Sequence, residues 1–136
     1  MRFRRFTRRP ATKRDNITTG TSEPVGPMGF GYPRELALSP LDASLYAIDD
    51  RMNLHRVNTT TGVASLVRAE SISDFPAYGI SITFAPDGTL YGSNGRSLYT
   101  IAPIDGSSSL VGSFAQYNTT RAIAVNRDGI GIGYDS

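Results

Sequence analysis

The chain has 136 residues, 39% of them apolar, with no cysteine and no tryptophan. That length suits one domain, and the missing thiols exclude a disulfide framework, a thiolate metal site and a cysteine nucleophile. No apolar run approaches the roughly 18 residues a membrane-crossing helix needs, and the formal net charge of +2 hides a basic start joined to an acidic remainder.

The basic start carries Arg2, Arg4, Arg5, Arg8, Arg9, Lys13 and Arg14 with no acid among them. The other 122 residues hold 7 basic and 12 acidic side chains, a net charge of −5. Like charges at this density repel, so the sequence divides into a basic, disordered arm over 1–15 and a folded domain over 16–136. The same seven cations, interleaved with Phe3 and Phe6, are the residues suited to neutralising phosphates and stacking on single-stranded bases. No apolar stretch of signal-peptide type follows them.

Gly and Pro together supply 22 residues, and Ser, Thr, Asn and Asp are frequent. That is turn chemistry, and many turns imply many short strands. No window shows sustained helical periodicity. The first trace of regularity is Thr18-Thr19-Gly20 with Val25-Gly26, although the residues before it, Thr12-Lys13-Arg14-Asp15, are polar throughout. The glycines of 26–31 lack the Lys-Ser/Thr ending and following helix of a phosphate loop.

From Leu36 onward the chain repeats itself. Leu45-Tyr46 falls on Leu90-Tyr91, 45 residues on, while Leu54, Val57, Gly62 and Leu66-Val67 fall on Leu98, Ile101, Gly106 and Leu110-Val111, 44 residues on. The change of offset lies in the turn at 49–53 against 94–97, where a length change costs little. A third copy opens at Val125-Asn126-Arg127-Asp128-Gly129, 41 residues after Phe84-Ala85-Pro86-Asp87-Gly88, and runs on to Asp135.

Within a copy, four strands are predicted. The first covers 35–39, 79–85 and 121–126, with alternation in Ile80, Ile82, Phe84 and in Ile123, Val125. The second covers 44–48 and 89–93, the third 54–57 and 98–101, and the fourth 64–67 and 109–112. Asp-Gly turns join the first two strands in two copies, Gly supplying a positive φ. Four antiparallel strands repeating every 40–45 residues is the spacing of a propeller blade.

Phe84-Ala-Pro-Asp-Gly-Thr-Leu-Tyr and Leu45-Tyr-Ala-Ile-Asp, with their Leu-Val endings, resemble blades of bacterial β-propellers of the quinoprotein-like and NHL-like sort. The resemblance covers about 36–136 and implies an all-β fold of antiparallel four-stranded blades, about two and a half of them: a partial β-propeller. It implies no particular activity. The predicted inter-blade core is Leu45, Tyr46, Leu54, Val57, Ile82, Phe84, Leu90, Leu98, Ile101, Ile123 and Val125.

Two and a half blades leave open ends. Three arrangements would satisfy them: further blades in a longer protein, a ring completed by copies of the chain, or an outer strand supplied by residues 16–25 to the C-terminal half-blade. Asp49, Asn94 and Asp135 recur at one level and could line a shared mouth, but Asx residues at hairpin turns serve their own backbone first. His55, the only histidine, aligns with the strand residue Tyr99 and has no second histidine or cysteine to share a zinc ion. No Gly-x-Ser-x-Gly elbow is present, and Gly129–Gly133 reads as a crowded strand and turn. Asn16, Asn58 and Asn118 begin glycosylation sequons.

The function expected is a non-catalytic propeller-type binding or scaffold module, part of a larger propeller or self-assembling, with protein or itself as partner. No catalytic, cofactor-binding or metal-ligating residue is nominated. The rival expectations are a nucleic-acid-associated protein tethered by the Arg-rich arm, and a fragment of a propeller enzyme such as a quinoprotein-like dehydrogenase or a lactonase.

Overall fold

The computed structural model describes residues 11–73, 79–114, 120–129 and 131–135. Their strands, in chain order, are β1 (Ala11–Asp15), β2 (Ser22–Pro27), β3 (Pro33–Leu38), β4 (Leu45–Asp49), β5 (Leu54–Val57), β6 (Ala64–Arg68), β7 (Ser81–Phe84), β8 (Leu90–Ser93), β9 (Ser97–Ile101), β10 (Ser108–Ser113), β11 (Thr120–Val125) and β12 (Gly131–Asp135). They form two four-stranded sheets, β3-β4-β5-β6 and β7-β8-β9-β10, flanked by the two-stranded sheets β1-β2 and β11-β12. Every pairing is antiparallel between chain neighbours.

The internal repeat is a repeat of register. Leu45 stands opposite Val57 and Leu90 opposite Ile101, each opening the second strand of its sheet. Tight turns explain the repeat locally. In the turn between the first and second strands, Asp42 and Asp87 each accept the backbone N–H two residues on, 3.0 and 2.9 Å away. Gly88 (φ 89°) and Gly129 (φ 78°) hold the left-handed position there, but in the first sheet that position is Ala43, at φ 59°. The turn between the third and fourth strands occurs three times. Gly20, Gly62 and Gly106 each donate their N–H to the carbonyl four residues back, at 2.8, 2.7 and 2.7 Å.

That triple occurrence corrects the reading of the N-terminus. Ala11–Asp15, assigned above to the basic arm, form β1 and pair with β2. The segment is polar because only Thr12 is buried; its hydroxyl donates to the Gly62 carbonyl at 2.8 Å. Arg2, Arg4, Arg5, Arg8 and Arg9 lie outside the described residues. Nor does 16–25 supply an outer strand to β11-β12. β2 pairs with β1, and the two four-stranded sheets stand between that hairpin and β11-β12 in the chain.

The core lies between sheet faces. Ile48, Met52, Leu54, Ile72, Ile82 and Leu90 are fully buried between the two four-stranded sheets. A second cluster of Met28, Ala47 and Val57 joins the tail of β2 to the β3–β6 sheet. Of the predicted core, Tyr46, Leu54, Val57, Ile82, Leu90 and Ile101 are buried, while Leu45, Phe84, Leu98, Ile123 and Val125 are half-buried. The fourth strands turn Leu66 and Leu110 to solvent, as outer strands do.

Candidate functional site

The most polar buried cluster surrounds Asp49, at the end of β4. Its Oδ1 accepts the N–H groups of Arg51 at 2.9 Å and Asn53 at 3.0 Å. Its Oδ2 accepts the Asn53 amide at 2.9 Å and lies 3.0 Å from His55 Nε2. Phe30 stacks flat on the His55 ring, centroids 3.8 Å apart. Burial pushes the Asp49 carboxyl up, but the hydrogen bonds from His55, Asn53 and Arg51 outweigh it and hold the group below its ordinary 3.8. The carboxylate is therefore an ionised anchor that closes the β4–β5 turn. With all its hydrogen bonds made to its own turn and to a packed imidazole, it has no face for a substrate.

Asn94 holds the same place in the second sheet, its Oδ1 accepting the N–H groups of Arg96 and Ser97, each at 3.0 Å. The structure thus supports the turn role weighed for Asp49 and Asn94; the side chain of Asp135 lies outside the described residues. Among the described residues no three histidine or acidic side chains come together. Asn16 and Asn58 accept backbone N–H groups within their turns in the same way, and Asn118 lies outside the described residues. The hairpin also explains the pairing that sequence alignment missed. Asp49 starts a turn and His55 is the second residue after it, so the reversal of the chain places them side by side.

A second polar chain crosses the first strands. Ser81, wholly buried, accepts the Ile123 N–H at 3.1 Å and hydrogen-bonds the Glu35 carboxyl. Burial raises the Glu35 carboxyl, and the bonds from Ser81 and the Ile82 backbone only partly offset it. This links β3, β7 and β11 and holds the flanking sheet in place.

The open surface is elsewhere. An apolar groove of about 280 Å³ runs between the β7–β10 sheet and the β11-β12 hairpin. Its walls include Tyr91, Leu98, Val111 and Phe114 on one side and Ile123 and Val125 on the other. A polar hollow beside Asp42, Ser44 and Arg56 lies on the first sheet, where Arg56 Nη2 donates to Ser44 Oγ at 3.0 Å. Of the predicted phosphate-contacting residues within the structure, Lys13 pairs with Asp15 at 3.4 Å on the surface, and Arg14 is exposed in β1.

The sequence matches no protein-family model and no curated protein. Solved structures do match in shape. A Bacteroides thetaiotaomicron protein of unknown function superposes with a TM-score of 0.69 at 22% identity, over 87% of this chain and 34% of that one. A chain of a nidogen/laminin complex gives 0.71 at 13% identity, over 93% and 49%. A gluconolactonase from Xanthomonas campestris gives 0.61 at 18% identity, over 88% and 39%. These neighbours are β-propeller-like.

The fold is a partial β-propeller. The chain spans between about a third and a half of each of these three structures. Its two four-stranded sheets are complete blades, β3–β6 and β7–β10. At identities this low the likeness concerns fold alone.

Proposed function

We propose that the chain is a non-catalytic propeller-type binding or scaffold module that takes up polypeptide at its open end. The observation that carries this reading is the apolar groove between the β7–β10 sheet and the β11-β12 hairpin, in which β12 pairs with β11 alone among the described strands. An exposed strand edge pairs with extended backbone, and the adjoining apolar wall selects side chains. The buried groups with catalytic chemistry, Asp49 and His55, support the same reading because they are bonded to each other and to their turn. The lactonase neighbour contributes a likeness of fold at 18% identity.

The test titrates extended peptides of alternating apolar and polar residues into fluorescently labelled chain at nanomolar concentration. Saturable binding is expected, weakened about tenfold or more by Val111→Glu in the groove wall. Absence of binding, or binding indifferent to Val111→Glu, overturns the proposal.

A further inference from the structure

We propose that two copies of this chain close one six-bladed ring, in which β12 of each copy pairs with β1 of the other to make two hybrid blades. The inference rests on the binding reading above and names the polypeptide that fills the groove.

The strands already contain the complementary halves. β11 and β12 align with the first and second strands of a blade, and β1 and β2 with the third and fourth. The third–fourth turn is the marker for the latter: Gly20, Gly62 and Gly106 share φ values of 74°, 82° and 72° and the same hydrogen bond. Twelve described strands are therefore three blades' worth, divided as half, whole, whole, half. Closed propellers have roughly four to eight blades. Two copies of these twelve strands together hold six blades' worth, within that range.

The joint between blades repeats within the chain and shows which surface is missing a partner. In each full blade the third–fourth turn seats on the end of the preceding fourth strand. Gly62 lies against the backbone of Gly26 in β2, close enough that a side chain at either would collide with the other strand. Gly106 lies against Arg68 in β6, and Ser71 Oγ donates to its carbonyl at 2.6 Å. The residue equivalent to Gly26 and Arg68 in β10 is Gly112. A side chain at Gly112 would meet nothing within 4 Å, and neither would one at Gly20. Among the described residues, one turn lacks its seat and one seat lacks its turn.

The groove has the same origin. Val67 in the first blade packs against the inter-blade core, whereas its equivalent Val111 in the second is 56% exposed. Val67 is covered because a complete blade follows it. Among the described residues Val111 faces the inner half of one alone, and the β1-β2 hairpin of a second copy would supply the outer half. By the registers Ala47↔His55 and Gly92↔Tyr99, Gly133 of one copy comes opposite Lys13 of the other.

The experiment measures the mass of the intact chain by light scattering after size exclusion, from micromolar to hundred-micromolar concentration. The expected mass is twice the 14.7 kDa of one chain. Val111→Glu should return it to one chain with an unchanged circular dichroism spectrum. Lys13→Cys with Gly133→Cys, in a chain that has no other thiol, should oxidise to a covalent pair; the isolated halves of that double variant should remain uncrosslinked between these strands. A monomer throughout, or an oxidised ladder of higher polymers, overturns the closure. If labelled chain binds extended peptides yet its mass stays that of one chain, the binding module stands and self-closure alone falls.

Discussion

The two complete blades share one backbone plan but anchor it differently. In the first, the turn after the second strand runs from Asp49 to Asn53, with Met52 buried at φ 61°. An ionised carboxylate ties that turn to His55, and Phe30 covers the imidazole. In the second, the turn is shorter, Gly95 takes the left-handed position at φ 92°, and a neutral Asn94 does the capping. Asn and Asp do equivalent work at the backbone, since each needs only one oxygen aimed at two N–H groups. The charge in the first blade gives its attachment to His55 a sensitivity to pH that a neutral Asn94 does not bring.

The largest expected effect separates the two blades by packing. Leu54 is wholly buried, whereas Leu98, its equivalent, is half-buried at the open groove. Leu54→Ala should cost about 2–5 kcal/mol, and Leu98→Ala clearly less, in urea unfolding of nanomolar chain, too dilute to pair, followed by fluorescence. Equal losses at that dilution would mean that the two blades are covered alike within one chain.

Truncating the anchors comes next. Asp49→Ala leaves two backbone N–H groups, the Asn53 amide and His55 without their acceptor, a loss of about 2–3 kcal/mol. Asn94→Ala should cost about half of that. A reversed order would show that the carboxylate's desolvation outweighs its bonds.

Acid should then sharpen the distinction. Asp49 has a folded pKa below 3.8, so its contribution is complete above about 3.8 and disappears as pH falls through the folded value. The stability gap between the native chain and Asp49→Asn should be steady near neutrality and narrow below that point. Exposed Asp15, Asp42, Asp87 and Asp105 act in the same direction. Glu35 acts in the opposite one: with its pKa raised, its stabilising effect is complete in acid and is lost as pH rises. Comparing the two proteins cancels these shared slopes. A gap that does not change with pH would detach the charge from the fold.

The smallest effect tests the first turn. Ala43 sits at φ 59° where the other copies have Gly88 and Gly129. Ala43→Gly should raise stability by up to about 1 kcal/mol, as relief of the left-handed strain exceeds the added chain entropy. A loss instead would show that the Ala43 methyl packs usefully beside Leu45.

The blade pattern was legible because it rests on local rules. Alternation in Ile82 and Phe84, the Asp-Gly turns and the offsets of Leu45 and Gly62 all record strand periodicity or turn geometry, and β3 to β11, the nine strands predicted, begin and end within about two residues of their predicted bounds. β1 was misread because its partners are backbone atoms and solvent, so no apolar alternation marks it. Met28, Phe30, Met52 and Ile72 were missed as core for a related reason. They lie outside strands, on segments that enter the space between sheets only once the blades are stacked. The His55–Asp49 bond required the hairpin register, and the groove required knowledge of which blade face is left uncovered.

The order of the chain therefore determined its strands, its turns and the level at which Asp49 and Asn94 stand, since those follow from neighbours within a few residues. Tertiary stacking decided which apolar side chains are core, which acid is an anchor, and where an edge stays open. Burial and desolvation depend on what comes from far along the chain to cover a surface, and a single repeat carries no record of that.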